Sequence, residues 1–403
     1  MALLPVDQAM ARLLDGATVL DAEQIPIAEA GWRVLAADIA ALRTQPPFDA
    51  SAMDGYAVRA DDAIAGATLS VIGSAPAGRG FAGTVGPGQA VRIFTGAPVP
   101  AGADTVLIQE NARAASPDSV EVIESLERNR NIRRQGLDFK DGDAVLEKGR
   151  ILDPAALSLA AAANHATLLV VRKPRVAILA TGDELLPPGS TPGPDQIIAS
   201  NAYGVRAVAE KLGADVVDLG IAPDDKAAIA AAIHAGMDAG ADIFVTLGGA
   251  SVGDHDLVRD VLVEAGMTLD FWKIAMRPGK PLMFGRLGDV RVLGLPGNPV
   301  ASLVCSHLFL APLIARLAGR GHALDWRDAV LTKDMAENDQ RQDYVRAIAE
   351  TKDGALTVTP FGVQDSSMLR TLAHSNALIV REPFAPAAEK GSSCRIVLLR
   401  PLD

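Results

Sequence analysis

The sequence predicts an α/β multidomain protein whose central domain is a doubly wound, parallel sheet. Runs of strand and helix character alternate between Pro174 and about Gly319, which is the pattern of successive βα units. Short β-branched runs separated by Gly and Pro instead dominate residues 45–145 and return after Leu331, which indicates two small β domains. With 403 residues, 49% of them hydrophobic, the chain is long enough for roughly two to four domains with cores of their own.

The first domain is predicted to be helical and discontinuous. Apolar residues at helical spacing predict one helix from Val6 to Leu14 and a second from Ala28 to Ile39. A third helix is predicted to begin at Pro154, capped by Asp153, and to extend to about Asn164. We expect the third helix to cover the apolar faces of the first two. This helical and linker domain would comprise residues 1–44 and 146–173, on either side of an inserted β domain at 45–145.

The two β domains follow from short strand-like runs bounded by turns. In the insert these runs lie at 69–72, 90–94 and 105–108. In the last domain, residues 321–403, they lie at 344–348, 356–358 and 394–398. We expect the last domain to form a small β domain, either a sandwich or, as we favour, a closed, barrel-like sheet.

The central domain, residues 174–320, should hold its ligand in a crevice at the carboxyl ends of its strands. Three loops with chemically useful residues follow predicted strands, and they lie at 181–184, 248–256 and 294–299. Because the carboxyl ends of parallel strands lie at one edge of a sheet, we expect these loops to converge on one site.

Charge and cysteine content exclude several classes of function. The formal net charge of −11 argues against a surface for nucleic acid or for an anionic membrane, so an anion needs a focused site. Cys305 and Cys394 stand in unrelated contexts without a Cys/His cluster, which indicates free thiols in a reducing compartment and no zinc site. The longest apolar stretch, 155–171, is predicted as a helix and a strand, not a membrane span. The N-terminus lacks the pattern of a signal peptide, and we expect a cytoplasmic protein.

The loop 248–256 has the composition of a phosphate site. Its glycines let the backbone approach a ligand, and a serine and the following helix N-terminus offer donors to an anion. These candidate binding residues are Gly248, Gly249, Ser251 and Gly253. Asp254 and Asp256 could hold a divalent cation against the phosphate, or only cap the helix. Taken alone, the pattern is also that of a tight connection between strand and helix.

Two further pairs of residues admit a structural and a functional interpretation. Asp54 and Thr95 belong to a hairpin turn and a strand exit, or they display a carboxylate and a hydroxyl towards a crevice. Asp183 and Glu184, at the end of a strand, either cap the next element or bind a metal ion.

Two cations flank a Pro-Gly turn in this acidic protein. Arg277 and Lys280 would suit a tetrahedral oxyanion, although a solvated turn would have the same composition. The loop 294–299, with its glycines and Asn298, suits a backbone nest for another anionic group.

At these residues the chain closely resembles the molybdopterin molybdenumtransferase (MoeA) family, which is similar to the E domains of gephyrin and of its plant counterpart. Six stretches match the family's signatures in order and spacing: 51–58, 94–97, 180–185, 248–256, 278–281 and 294–300. The resemblance extends over essentially the whole chain. It departs from the family at Ala250, where valine is usual, and at Ala301, where serine is common and Ser302 follows instead.

The resemblance implies a reaction. Adenylylated molybdopterin is cleaved, AMP leaves, and molybdate is inserted at the dithiolene to give molybdenum cofactor, with Mg²⁺ required. It implies catalytic roles for Asp54, Thr95, Glu184 and Asp256. Asp225, Asp256 and Glu184 are our candidates for holding Mg²⁺. For the substrates, the loop residues above are joined by Pro296 and Gly297, and the resemblance adds Arg346 and Ser366 or Ser367.

The resemblance also implies a homodimer, and Asp54 and Thr95 of the insert are expected to complete the active site of the partner subunit. A molybdopterin adenylyltransferase and proteins that mature molybdoenzymes are the expected further partners. Two alternatives stay open at this point. The central domain alone would suit the preceding adenylylation step, and a non-catalytic carrier or scaffold would bind the cofactor without turning it over.

Overall fold

The computed structural model of the chain describes residues 3–248, 257–352 and 354–402. The chain begins with helix α1 (Val6–Leu14). It forms two compact units, an inserted unit (Gln24–Val170) and a core unit (Met1–Glu23 with Val171–Asp403). The finer division into four domains stays a prediction.

The inserted unit consists mainly of short strands. One helix, α2 (Pro154–Ala162), and three single turns of 3₁₀ helix at Ile27–Glu29, Ala60–Asp62 and Gln109–Asn111 accompany them. The strands are β1 (Ala22–Pro26), β2 (Ile39–Ala40), β3 (Ala50–Ser51), β4 (Gly55–Val58), β5 (Thr68–Ala75), β6 (Gln89–Ile93), β7 (Thr105–Ile108), β8 (Ala112–Ser116), β9 (Ser119–Val122), β10 (Ile132–Arg133), β11 (Ala144–Leu146) and β12 (Thr167–Val171).

A six-stranded sheet in the order β7-β4-β6-β5-β9-β8 dominates this unit. Its apolar side chains form two clusters, one around Val91 and Ile93 and the other around Val58 and Leu107. Because neighbouring strand residues point to opposite faces, strands with consecutive apolar residues can be buried on both faces of the sheet. The prediction of a small β domain from β-branched runs is therefore confirmed.

Helix α2 begins as predicted, with Pro154 in its first turn and the Asp153 carboxylate accepting from the amide of Ala156 at 2.9 Å. The predicted helix from Ala28 to Ile39 is wrong. Only one 3₁₀ turn forms there, and Trp32 then adopts a positive φ of 64°. The backbone amides of this stretch donate instead across the chain, for example from Leu35 to the carbonyl of Arg150 at 3.0 Å.

The core unit contains helix α1 and all elements after β12. Its strands are β13 (Arg175–Thr181), β14 (Leu185–Leu186), β15 (Ile197–Ile198), β16 (Asp215–Ala222), β17 (Ile243–Leu247), β18 (Thr268–Phe271), β19 (Met276–Arg277), β20 (Met283–Leu287), β21 (Val290–Leu295), β22 (Asp325–Leu331), β23 (Gln342–Lys352), β24 (Ala355–Pro360), β25 (Ala377–Arg381) and β26 (Ser393–Leu398). Its further helices are α3 (Asn201–Lys211), α4 (Lys226–Asp238), α5 (Leu257–Glu264), α6 (Pro299–Cys305), α7 (Ala311–Leu317) and α8 (Leu369–His374), with a π-helical turn at Ser306–Leu310.

The central sheet has the order β16-β13-β17-β21-β20-β18, in which the first four strands are parallel and β20 is antiparallel to both of its neighbours, β21 and β18. Helices α3, α6 and α7 pack on one face of the sheet, and α4 and α5 pack on the other. Strands covered on both faces need apolar residues throughout, which explains the unbroken runs in β13 and β17. The doubly wound fold is confirmed.

Helix α1 packs in this unit as well. Ala9 and Leu13 are fully buried in the cluster that contains Leu313 and Leu317 of α7. The expectation that α1 packs against the helix at Pro154 is therefore wrong, because α7 and the central sheet already cover its apolar face.

The last part of the core unit closes into a five-stranded barrel. The strand order β23-β24-β22-β26-β25 is completed by pairing of β25 with β23, so none of the five strands keeps a free edge. The short strand β19 adds to the outside of β23 through Met276 and Arg277. This confirms the predicted barrel.

One helical run among the described residues, Pro299–Leu317, has the length and mean hydropathy, 1.8, to cross a membrane. Of its most apolar window, 78% is buried inside the protein. The run comprises α6, the π-helical turn and α7, and it packs against the central sheet as a core helix does.

We expect Gly55→Ala to destabilise the inserted unit. Gly55 lies between β6 and β7, where an added Cβ would overlap the carbonyl oxygen of Leu107 and lie 2.9 Å from Ile108 Cα. Since backbone atoms of a central strand cannot move aside cheaply, we expect a loss of about 3 kcal/mol in the free energy of unfolding. Urea unfolding followed by circular dichroism measures it. Gly321→Ala, which meets open space, is the control, and equal midpoints for both variants would contradict the prediction.

Candidate functional site

A crevice of about 910 Å³ opens at the carboxyl ends of the parallel strands. It is lined by residues of all three loops that the sequence identified, including Thr181, Gly248 and Pro296. The predicted convergence of these loops is confirmed. Apolar side chains of the β14–β15 arm and of α5 form another part of the wall, so the crevice offers both polar and apolar surface.

Two glycines bring the backbones of these loops into close contact. Gly248 has a φ of 94°, and a Cβ on it would lie 2.9 Å from the carbonyl oxygen of Thr181. A Cβ on Gly297 would lie 3.7 Å from Gly248 Cα. The side chain of Asn201, the first residue of α3, donates to the carbonyl of Gly297 at 2.7 Å and fixes that loop. The crevice floor is therefore bare backbone, to which an anionic group can come close.

Glu184 and Asp224 line the crevice. Asp225 does not belong to the lining, since its carboxylate accepts from the amide of Ala228 at 2.9 Å and caps α4. Asp183 accepts from the amide of Asp224 at 3.1 Å and so holds the turn in which Asp224 lies. Within the described ranges, no three His, Cys, Asp or Glu side chains form a metal-binding group. Five candidate site residues lie outside these ranges: Gly249, Ser251, Gly253, Asp254 and Asp256.

The barrel contributes a loop to the same crevice. Asn298 donates its side-chain amide to the Ser366 hydroxyl at 2.9 Å, and the amide of Val300 donates to the carbonyl of Ser366 at 3.0 Å. Ser367 lines the crevice and donates its hydroxyl to Asp365. This hydrogen bond lowers the pKa of Asp365. The negative charge of Asp365 is thus stabilised by a residue of its own turn. Two predicted substrate-binding residues, Asn298 and Ser366, are thus in direct contact.

Arg346, on β23, is buried, with 1% of its surface exposed. Its guanidinium donates to the carbonyl of Asp365 at 3.3 Å, whereas its Nε has no partner. No carboxylate of the described residues forms a salt bridge with it, and desolvation lowers its pKa. A buried cation that forms no salt bridge is costly, and the charges of Asp343 and Asp365 offset this cost only in part. The Ser302 hydroxyl on α6 is likewise buried without a partner.

The two cations of the Pro-Gly turn differ in their surroundings. Arg277 pairs with Asp343 and, at 3.5 Å, with Asp339 of the barrel, and its hydrogen bond to Asp343 raises its pKa. Lys280 is exposed and forms no salt bridge in the part of the chain that the structure describes. Between them Gly279 has a φ of 116°, and a Cβ there would lie 2.5 Å from Cys305 Sγ. The turn is thus packed on α6, with Lys280 as its available charge.

In the inserted unit, Asp54 and Thr95 form a hydrogen-bonded pair. The amide and the hydroxyl of Thr95 both donate to Asp54 Oδ1, each at 2.7 Å. These bonds, the amide first, lower the pKa of Asp54, so its carboxylate is ionised at neutral pH. Its second oxygen, Oδ2, accepts no hydrogen bond from the described residues. The pair therefore presents one anionic oxygen that is held in place and not neutralised.

Sequence reasoning missed three residues that shape the crevice, namely Asp224, Asn201 and Gln364. The sequence did contain an indication of Asp224. Asp225 stands three residues before Ala228, in the position of a helix cap, so the neighbouring Asp224 is the carboxylate that can face the crevice. Gln364 accepts from the amide of Arg346 at 2.9 Å and donates to its carbonyl at 3.0 Å. No local pattern indicates a contact of that kind.

Comparison with known proteins assigns the regions of the chain. Residues 4–164 match the model of the MoeA N-terminal region (domain I and II), residues 177–316 that of a probable molybdopterin binding domain, and residues 328–399 that of the MoeA C-terminal region (domain IV). Two crystal structures of the molybdopterin biosynthesis protein MoeA from Pyrococcus horikoshii are similar, with TM-scores of 0.82 and 0.77 at 27% and 28% identity. They cover 99% and 98% of this chain and 100% of their own.

Relatives with assigned names are similar over nearly the whole chain. The molybdopterin molybdenumtransferase of Haemophilus influenzae is 38% identical over 94% of this chain and 95% of its own. That of Bacillus subtilis is 35% identical over 98% and 94%. Fold, crevice and relatives define a multidomain protein of molybdenum cofactor biosynthesis. The chain belongs to the molybdopterin molybdenumtransferase (MoeA) family.

We expect Thr95→Val to raise the pKa of Asp54 towards the ordinary value for aspartate, because the hydroxyl bond is lost while the backbone bond remains. In the wild type the carboxylate protonates only as the pH falls through its lowered pKa, so the variant should take up its proton at higher pH. Carboxyl-carbon NMR with labelled aspartate measures the titration. Thr68→Val, at an exposed position of β5, is the control, and an unchanged Asp54 titration in Thr95→Val would refute the expectation.

Proposed function

We propose that this protein inserts molybdate into adenylylated molybdopterin and releases AMP. The proposal rests on the crevice. Exposed backbone, the carboxylates of Glu184 and Asp224, and loops of the central sheet and of the barrel meet there. The activity named for its relatives is a transfer reaction of this kind. The substrate has a flat pterin ring, a pyrophosphate and a nucleoside, and it needs a site with both polar and apolar walls.

The pyrophosphate would lie against the backbone at Gly248 and Gly297, where no side chain intervenes. Its charge calls for a cation in a protein with a net charge of −11. Glu184 and Asp224 offer the hard oxygen ligands that Mg²⁺ prefers, and Asp256 is a further candidate from the sequence. When bound, Mg²⁺ would neutralise charge on the phosphate oxygens that AMP carries away. Asp225 is a weaker candidate, because it caps α4.

Molybdate, a tetrahedral dianion, would be held by charge and by hydroxyl donors. Lys280 supplies an exposed charge, and Arg346 supplies a buried guanidinium whose Nε has no partner. Ser366 presents its hydroxyl next to Asn298. Arg277 contributes less, because its guanidinium is already paired with Asp343 and Asp339. Lys280 and the Arg346 Nε favour an oxyanion because each would gain a charge-assisted hydrogen bond that no described residue supplies.

We further propose a homodimer in which the Asp54–Thr95 pair of one subunit completes the crevice of its partner. The ionised Oδ2 of Asp54 would orient the reacting groups, and its lowered pKa makes it a weak base. We place the reaction in the cytoplasm, which the two free cysteines favour. An adenylyltransferase would supply the substrate, and proteins that mature molybdoenzymes would receive the product.

The purified protein is incubated with adenylylated molybdopterin, molybdate and Mg²⁺, while AMP release and protein-bound molybdenum are followed together. We expect both to appear, and AMP release to stop when molybdate is omitted or Mg²⁺ is chelated. Binding without AMP release would identify a carrier or scaffold. Formation of adenylylated molybdopterin from ATP and molybdopterin, without molybdenum insertion, would identify an adenylyltransferase.

A hybrid dimer tests whether the site is shared. Asp54→Asn and Lys280→Ala subunits carry different tags, are co-expressed, and the hybrid is purified through both tags. If Asp54 acts in the partner's crevice, one of the two sites is intact, and the hybrid should recover about half of the wild-type rate. The matched control is a dimer in which both tagged subunits carry Asp54→Asn, so that neither site has Asp54, and it should give no recovery. An inactive first hybrid would show that each site belongs to one subunit.

A further inference from the structure

Arg92 of the inserted unit lies between two aromatic rings. It stands on β6 directly opposite Tyr56 of β4. Its guanidinium carbon lies 5.1 Å from the centroid of the Tyr56 ring and 5.0 Å from that of Phe94. A guanidinium at this distance from two ring faces gains cation–π stabilisation on both sides, which holds it in one orientation.

The hydrogen bonds of Arg92 lead to both peptide groups that follow Asp54. It donates to the carbonyl of Gly55 at 3.1 Å and to the side-chain oxygen of Gln109 at 2.9 Å. The amide of Gln109 in turn donates to the carbonyl of Asp54 at 3.1 Å. The backbone on the carboxyl side of Asp54 is thereby fixed directly and through one intermediate residue.

The same guanidinium acts on the other member of the pair. Phe94, which it contacts, immediately precedes Thr95, whose amide and hydroxyl both bind Asp54 Oδ1. Arg92 therefore connects the turn that carries Asp54 with the strand exit that carries Thr95. Among the described residues Arg92 forms no salt bridge with Asp54, so it acts on the carboxylate by positioning the backbone and by its electrostatic field, which lowers the pKa of Asp54.

We propose that Arg92 is a positioning residue for the Asp54–Thr95 pair in the transfer reaction. The proposal rests on the function proposed above. Without the guanidinium, the Asp54 turn and the Thr95 strand exit lose their common support, and Oδ2 of Asp54 is presented in several orientations. The expected consequence is a lower turnover rate with little change in the concentration of molybdate needed, because Arg92 itself contacts neither substrate.

The first experiment compares the wild type with Arg92→Met, which keeps the length of the side chain without its charge and donors. We expect kcat for AMP release to fall about tenfold while half-saturating molybdate stays within twofold. In NMR spectra of the same variant, we expect the Thr95 amide signal to shift and the pKa of Asp54 to rise. Arg113→Met removes an exposed arginine of the same sheet, paired with Glu121, and should leave all of these unchanged.

Arg92→Lys separates charge from geometry. Lysine keeps the positive field on Asp54 but cannot donate in a fork to both Gly55 and Gln109. We expect the Asp54 titration to stay close to that of the wild type, while kcat lies between the values of the wild type and Arg92→Met. This variant also serves if Arg92→Met does not fold.

Several outcomes would overturn the proposal. A fall in kcat with an unchanged Thr95 amide, a shifted amide with an unchanged kcat, or no effect in either would each remove Arg92 from this role. Failure of the underlying function is recognised separately, because the wild type itself would then release no AMP, whereas the Thr95 amide signal and the Asp54 titration would still report the effect of Arg92.

Discussion

The buried guanidinium of Arg346 is the constraint on which the geometry of the crevice depends. Burial of a cation without a carboxylate partner is tolerated only where other groups hold it firmly. Here its own strand, the carbonyl of Asp365 and the side chain of Gln364 do so. Because the next residue along, Ser366, bonds to Asn298 and Val300, fixing Arg346 also fixes the barrel loop on the α/β domain. The barrel and the doubly wound sheet thereby become two walls of one site.

The electrostatics of the core unit concentrate positive charge in an acidic protein. Some arginines are already neutralised by neighbours, as Arg277 is by Asp343 and Arg172 by Asp242. Lys280 and Arg346 form no salt bridge with the described residues. Lys280 is exposed, whereas Arg346 is buried. A desolvated guanidinium attracts an anion more strongly than a hydrated ammonium does, because less water screens it.

The parts of the fold with strong periodicity could be predicted from the sequence. Strands buried on both faces, such as β17, have continuous apolar sequences, and the loops that follow their carboxyl ends predict where the crevice lies. The prediction of a helix at Ala28–Ile39 was wrong, although the apolar spacing of this stretch is compatible with a helix. Hydrogen bonds to distant parts of the chain, together with Trp32 at positive φ, hold the backbone in a non-helical conformation. That Asp224 lines the crevice, while Asp225 caps α4, follows from the geometry of the turn and not from the sequence alone. Arg346 could be predicted as a candidate site residue only from the resemblance, since the burial of an arginine cannot be seen in its neighbours along the chain.

The contact between Gln364 and Arg346 has a structural meaning of its own. In an antiparallel strand pair, a residue donates its N–H to the opposite residue and accepts a hydrogen bond from it. The side-chain amide of Gln364 does the same with the backbone of Arg346, since it accepts from the N–H and donates to the carbonyl. The side chain of Gln364 thus forms the two hydrogen bonds that one residue of a neighbouring strand would form. The barrel is closed by β23 and β25 without it, so the loop that reaches the crevice is an attachment to a finished scaffold. Evolution can vary the length and chemistry of such a loop without reopening the barrel.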